Sequence, residues 1–213
     1  MSSMGYGLLR VPEWVLRFAY LNVLWVVFTM TGLIVFGVFP AARATLSVAE
    51  RWLRGETDFS VFRTFWRGYK TNFVQSNVLG FLIVVTGAAL YLYFLLIQQI
   101  DGPAVYVLQY VLLLVSTMYV LTMLYMFPVS IRHDAGILSI VKTSFLVMLV
   151  SPLSTLMTIA GIFIMYLLVM YLPGLLPVFG ASASAFLLMW SSEIAFSNIE
   201  RKKEKQLPAS KAG

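Results

Sequence analysis

Few side chains in this sequence are of the types that carry out chemistry. It contains no cysteine and one histidine, His133, which is followed by Asp134. The lack of cysteine excludes disulfides, thiol catalysis and thiolate metal ligands. The sequence also lacks a glycine-rich phosphate loop, a histidine-rich metal site and a Ser-His-Asp set. We therefore predict that the protein is not an enzyme, that it binds no metal or cofactor, and that His133 is a polar residue at headgroup level rather than half of an acid–base pair.

Polar side chains inside apolar segments form the first candidate site. Glu193 is an acidic residue within a long apolar run near the end of the chain. Such groups are costly in a bilayer and often mark function. Two interpretations stand side by side: a residue that couples or binds a solute, and an ion pair with Arg132 or Lys142. The candidate intramembrane polar site comprises Asn72, Gln75, Ser76, Asn77 and Glu193, and for its uncharged members packing between helices is the alternative.

A second candidate site combines aromatic and basic residues at helical spacing. Five aromatic residues recur over residues 59–73 in one narrow stripe, and three basic residues flank it. Such a helix can lie in the headgroup region, where basic side chains extend sideways toward water. The alternatives are packing on the protein's own helices and docking of a partner protein. The candidate partner- or lipid-binding residues are Phe59, Phe62, Arg63, Trp66, Arg67, Tyr69 and Lys70, and Phe73 completes the stripe.

The elements that must position these residues are membrane spans. Hydrophobic residues make up 60% of the 213 residues, charged residues 11%, and the mean hydropathy is +0.87. A soluble domain carries roughly 25% charged residues, so lipid must cover much of this chain. We predict an all-α bundle over residues 1–200 with five transmembrane helices, an amphipathic cytoplasmic segment at 40–72 and a flexible basic tail at 201–213. The predicted spans are 18–39, 75–97, 104–127, 146–172 and 176–197.

The distribution of Lys and Arg predicts the orientation of these spans. With five spans, 13 of the 15 basic residues fall on one side, and only Arg10 and Arg17 fall on the other. Basic residues in short loops stay in the cytoplasm. We therefore predict an N-terminus outside and a C-terminus in the cytoplasm. Because the basic residues flank apolar runs, the predicted partners are anionic lipid headgroups rather than nucleic acid.

A short motif occurs twice and suggests an internal repeat. Phe39 and Pro40 are followed by a basic segment and by Lys-Thr-Asn-Phe at 70–73. Phe127 and Pro128 are followed by Arg132 and by Lys-Thr-Ser-Phe at 142–145. This pattern predicts a parallel repeat of two spans each, plus a fifth helix.

The same motifs resemble a known family. Residues 32–80 include Phe39-Pro40-Ala41-Ala42-Arg43, Trp52-Leu53-Arg54-Gly55-Glu56 and Phe62-Arg63-Thr64-Phe65-Trp66. This stretch is similar to the YesL-type family of bacterial membrane proteins, and residues 125–128 are similar to the second motif of that family. The resemblance implies a plasma-membrane location. Members are often encoded near carbohydrate importers of the ATP-binding-cassette type, which implies a non-enzymatic accessory of sugar uptake that contacts such an importer. The alternative function is a small-solute transporter or channel. The sequence does not give the oligomeric state.

Overall fold

The computed structural model describes residues 3–100, 102–133 and 135–210, and the described chain is helical. Its helices are α1 (Ser3–Thr31), α2 (Val38–Leu53), α3 (Val61–Thr71), α4 (Phe73–Ile97), α5 (Pro103–Arg132), α6 (Ile137–Val150), α7 (Pro152–Tyr171) and α8 (Leu176–Ser210), with a 3-10 turn at Pro173–Leu175. Five stretches in this part of the chain are long and apolar enough to cross a membrane: Pro12–Thr31, Phe73–Ile97, Val105–Arg132, Pro152–Tyr171 and Val178–Arg201. The predicted fold class, an all-helical protein with five membrane spans, is confirmed.

The helix bounds differ from the predicted spans at two places. The first span was predicted to end at residue 39, but α1 ends at Thr31 and residues 38–39 already belong to α2. A tight turn reverses the chain between them. The fourth span was predicted as 146–172, but α6 ends at Val150 and α7 begins at Pro152. Proline has no N–H to donate and disfavours a helical conformation in the residue before it, which explains this break.

The helix α2 lies inside the bundle. Along its length Pro40, Ala41, Arg43, Ala44 and Val48 are all buried, and it packs on α1, α3, α4, α5 and α8. The sequence predicted a surface helix here, because an amphipathic pattern looks the same whether its apolar face meets lipid or protein. Small alanine side chains let the neighbouring helices approach α2 closely.

The contacts between helices give their directions. α5 and α8 run parallel to each other, while α4 runs antiparallel to α5 and α7 runs antiparallel to α8. The contacts and shared clusters that define these directions are Arg132–Glu193 and Phe127–Leu188 for α5 and α8, Thr158–Ser191 and Gly161–Leu187 for α7 and α8, and Leu79–Tyr125 and Tyr119–Ile83 for α4 and α5.

The first helix, α1, runs antiparallel to α8. The rings of Phe18 and Phe186 are 5.5 Å apart, and four residues further along α1 the Asn22 Oδ1 accepts from the backbone N–H of Ala181 at 2.9 Å. The membrane-spanning part of α1 therefore begins at the same end of the bundle at which that of α8 finishes. We call this the charged end, because Arg17, Arg54, Arg132 and Glu193 lie there; the α4–α5 and α7–α8 connections lie at the far end.

The predicted placement of the two termini on opposite sides of the membrane stays a prediction, but the contacts of α1 differ from those that it implies. The prediction put Arg17 outside and the α2–α3 connection in the cytoplasm, yet the Arg17 Nη1 donates to the Thr57 carbonyl at 3.2 Å. The prediction treated the chain after α1 as a surface loop. In the structure α2 returns through the bundle to the charged end, so α1 and α4 both start from that end.

The two halves of the predicted repeat occupy different positions in the helices. Phe39 and Pro40 lie in the first turn of α2, whereas Phe127 and Pro128 lie inside α5. Lys70 is near the end of α3, and Lys142 is within α6. The helix bounds give the repeat no support, and it stays a prediction.

Candidate functional site

The two Phe-Pro segments pack against each other in the middle of the bundle. The rings of Phe39 and Phe127 stack with centroids 6.4 Å apart and an angle of 10° between their planes. One turn further along α2, the Arg43 Nε donates to the Ser130 Oγ at 3.1 Å and its Nη2 donates to the Ser130 carbonyl at 2.6 Å. Arg43 is 4% exposed. The sequence shows both motifs, but their direct contact follows only from the return of α2 through the bundle.

Glu193 is paired at the charged end of α8. Its Oε2 accepts from the Arg132 Nη1 at 2.8 Å, and the Arg132 Nη2 donates to Glu200 at 2.9 Å. The Arg132 guanidinium also lies 4.8 Å from the centre of the Phe196 ring. One of the two ion-pair partners expected from the sequence is therefore present, while the buried Oε1 of Glu193 has no hydrogen bond to the described residues.

Glu50 of α2 faces the same cluster and was not identified from the sequence. It pairs with Arg54 at 2.5 Å, one turn further along. Burial raises the pKa of Glu50, the positive charge of Arg54 lowers it, and the negative charge of Glu193 raises it further. The net direction is upward from 4.5, so ionisation of Glu50 costs stability as the pH rises above that value.

The uncharged members of the intramembrane polar site are placed separately. Asn72 joins α3 to α4, and Ser76 is fully buried. The Gln75 Nε2 donates to the Ala135 carbonyl at 2.9 Å, and the Asn77 Nδ2 donates to Phe73 in its own helix. Within the part of the chain that the structure describes, no hydrogen bond joins these four residues to Glu193, so the proposed set is not a single site.

The aromatic stripe on α3 divides into a buried and an exposed part. Phe65, which the sequence did not single out, and Tyr69 are buried around Phe28 of α1, with ring centroids 5.2 and 5.1 Å from it. The Tyr69 hydroxyl also donates to the Phe28 carbonyl at 3.1 Å. Phe62 and Trp66 are 45% and 44% exposed. The Phe62 and Trp66 rings also contact Phe28, at 6.3 and 5.5 Å. The whole stripe thus packs α3 on α1, and Phe62 and Trp66 in addition present part of their surface outward.

Phe59, the first residue of the stripe, packs against an arginine. The Arg51 guanidinium is 4.2 Å from the centre of the Phe59 ring, and it pairs with Glu56 at 2.6 Å. Phe73, at the other end of the stripe, meets Tyr69 edge to face at 5.5 Å.

Two of the three basic residues of α3, Arg63 and Arg67, line a cleft against α2. Arg63, Arg67 and Lys70 are exposed, and none forms an ion pair with another described residue. The cleft has a volume of about 650 Å³. Its lining residues are mostly polar and include Ser47, Glu50, Arg51, Arg54, Arg63, Thr64, Arg67 and Asn72. Such a surface suits anionic groups.

A cluster of hydroxyl groups surrounds the break between α6 and α7. The hydroxyls of Tyr125 and Thr155 are 3.1 Å apart, and the Thr158 hydroxyl donates to that of Ser191 at 2.7 Å. Ser151, at the break, is buried. These bonds link α5, α7 and α8 and act as polar contacts between helices in an apolar setting.

The fold and these sites define a multi-pass helical membrane protein, and comparisons with known proteins give its family. The family model described as "Protein of unknown function, DUF624" matches residues 18–94. "Uncharacterized protein YesL" of Bacillus subtilis (strain 168) is 34% identical over 209 residues, which cover 98% of this chain and 99% of the relative. "Uncharacterized protein YteU" of the same organism is 34% identical over 185 residues, 87% of this chain and 82% of the relative. No solved structure matches the chain.

The chain belongs to the YesL-type, DUF624 family of membrane proteins. The matched residues 18–94 contain α2, α3 and the first Phe-Pro segment. The resemblance expected from the sequence motifs is thereby confirmed.

Proposed function

We propose that this protein is a non-enzymatic accessory of the plasma membrane that binds a partner protein through α3. The observation that carries the proposal is the exposed part of that helix. Phe62 and Trp66 each leave nearly half of their surface uncovered beside Arg63 and Arg67. Exposed aromatic and arginine side chains are enriched where proteins bind each other.

The charge of this surface indicates an acidic partner. Arg51 and Arg54 in the α2–α3 cleft form ion pairs with Glu56 and Glu50, whereas Arg63 and Arg67 form none with the described residues. Complementary charge steers association and sets its register. Anionic lipid headgroups would meet the same arginines where no partner is bound.

The orientation proposed here places both the start of α1 and the end of α8 in the cytoplasm. Arg10 and Arg17 then lie on the same side as the basic residues of the loops and of the tail. This arrangement obeys the positive-inside rule more completely than the one predicted from the sequence. The α2–α3 surface is then accessible to cytoplasmic or membrane partners.

The family resemblance suggests which partner to test first. A carbohydrate importer of the ATP-binding-cassette type would present its cytoplasmic face at the level of α3. The ion pairs at the charged end support an accessory rather than a catalyst, because they bind Arg132 and Glu193 to each other and leave neither poised toward a substrate.

The second candidate is a small-solute transporter, which the break between α6 and α7 favours. Broken helices line the solute sites of many transporters, and here the break at Ser151 is next to buried hydroxyl groups of α7. Apolar side chains dominate the spans α4 and α5, which favours the accessory over this alternative.

The test is recovery of partners from native membranes. Proteins cross-linked to the wild type should be lost from a Trp66→Ala/Arg63→Glu/Arg67→Glu variant, because the aromatic anchor and its charges are gone. Arg201→Glu, which reverses another exposed arginine outside α3, should keep them. Equal recovery by the triple variant would contradict the proposal. Solute uptake by the protein alone in liposomes, lost on Glu193→Gln, would establish the transporter instead.

A further inference from the structure

The turn between α1 and α2 consists of Gly-Leu-Ile-Val-Phe-Gly at residues 32–37 and has no polar side chain. Its four central side chains, Leu33, Ile34, Val35 and Phe36, are 80%, 62%, 66% and 58% exposed. The α4–α5 connection, by contrast, begins with two glutamines at 98–99 and contains Asp101. A contiguous exposed apolar surface of this kind marks a contact with lipid or with another protein.

The turn stops well short of the α4–α5 connection. At the start of α2, Phe39 packs on Gly80 of α4 and on Phe127 of α5. From Gly80, α4 continues for 17 residues to Ile97, which is about 25 Å of helix. The turn precedes Phe39 by two to seven residues, so it extends at most about 10 Å past Phe39 toward the far end. Along α4 it therefore ends about 15 Å before the α4–α5 connection. Along α8 it comes level with the α7–α8 connection, because α1 continues nine residues beyond Asn22, whereas α8 begins five residues before Ala181.

Most backbone N–H groups of the turn are hydrogen-bonded within it. The N–H groups of residues 32–35, 37 and 38 donate to carbonyls of residues 28–34, at distances between 2.7 and 3.2 Å, and the Phe36 N–H has no backbone partner among the described residues. Pairing of backbone groups lowers the cost of a reversal inside the hydrocarbon layer. Gly32 and Gly37 permit the close approach, because a Cβ at Gly32 would collide with the backbone of Gly37.

The residue types at the centre of the turn also indicate a lipid environment. Leu33 and Ile34 have φ values of +55° and +62°, a conformation that favours glycine or asparagine over bulky residues. The strain is highest for the β-branched Ile34. Asparagine relieves such strain where water is present, but it would be costly in hydrocarbon.

We propose that α1 and α2 form a helical hairpin that enters and leaves the bilayer at the charged end, and that its turn is in contact with lipid acyl chains. Lipid is the occupant because the neighbouring surface is lipid-facing too: Phe81 and Val84, at the same level of α4, are 69% and 55% exposed. The proposal does not depend on the partner proposed for α3.

Single cysteines test the proposal, since the chain has none of its own. Ile34→Cys and Val35→Cys should resist a water-soluble maleimide applied to either face of the membrane and react fully after denaturation. Ile100→Cys at the far end and Thr57→Cys at the charged end, both exposed, are the controls and should react from opposite faces. A fluorophore at position 34 should be quenched most by lipids with the quencher deep in the acyl chain.

Three results would overturn the proposal. Labelling of position 34 from the same face as position 100 would mean that α1 crosses the membrane completely. Labelling from the same face as position 57 would place the turn at the surface. A disulfide between two copies of Ile34→Cys, with no quenching by lipid, would show that a second copy covers the turn.

Discussion

The Arg132 guanidinium forms ion pairs through both of its terminal nitrogens and lies over the Phe196 ring. It reaches Glu193 at 2.8 Å and Glu200 at 2.9 Å, and it is only 22% exposed. A partly buried arginine with two carboxylates holds the last turn of α5 against α8. Its removal leaves Glu193 in a site with little water, where an uncompensated charge is costly.

Arg132→Gln should lower the thermal unfolding midpoint of the detergent-purified protein, corresponding to about 1–3 kcal/mol for lost charged hydrogen bonds. The double variant Arg132→Gln/Glu193→Gln should recover part of the loss, because the second substitution removes the stranded charge. Arg63→Gln is the matched control and should leave the midpoint unchanged, since Arg63 has no ion pair with a described residue. A double variant less stable than Arg132→Gln would contradict this account.

The sequence predicted the interactions of individual residues where only a few partners were chemically possible. Glu193 in an apolar run needs a cation, and Arg132 or Lys142 were the basic residues at its level, so this ion pair could be expected. Glu50 and Arg43 could not be assigned, because their neighbours are set by the return of α2 through the bundle. Among the candidates, Phe65 was missed although it is the most buried aromatic residue of α3, since its position lies beside the stripe that was counted.

At the scale of elements, the contact of α2 with α4 depends on one glycine. The Phe39 ring occupies the space in which a Cβ of Gly80 would lie, and the same ring stacks on Phe127. Gly80 therefore allows the first Phe-Pro segment to reach the second.

Gly80→Ala should destabilise the protein by about 1–3 kcal/mol, the usual cost of an overpacked core. Thermal unfolding in detergent measures this. Gly161→Ala is the control, because a Cβ there would lie 3.8 Å from its nearest neighbours, an ordinary contact. Phe39→Ala should suppress the defect of Gly80→Ala by opening the space. If Gly80→Ala and Gly161→Ala behave alike, Phe39 does not pack where the structure has it.

The apolar spans could be read from the sequence, and the breaks between helices could not. Runs of about 20 apolar residues are long enough to cross a bilayer whatever they pack against, so the five candidate spans were found. The reversal at 32–37 has no charged residue and no proline to mark it. An apolar turn is indistinguishable from an apolar helix by hydropathy, and the first span was extended through it.

At the scale of the whole molecule, the charges separate strongly between the two ends. Arg17 and Arg132 belong to α1 and α5, and Arg54 directly follows α2; ion pairs or hydrogen bonds at one end of the bundle hold all three. The charged residue in the far-end connections is Asp101. The clustering of basic residues could be read from the sequence, but the direction of α1 required the contacts with α8.

In the orientation that we propose, the first helix begins and the last helix ends at the cytoplasmic face. A fluorescent protein that matures only in the cytoplasm, fused before α1 in one version and after α8 in another, tests it most directly. The account predicts fluorescence from both fusions, and an active alkaline phosphatase when that enzyme is placed in the α4–α5 connection. A dark N-terminal fusion beside a bright C-terminal fusion, at equal protein levels, would put α1 in the opposite direction and contradict the account.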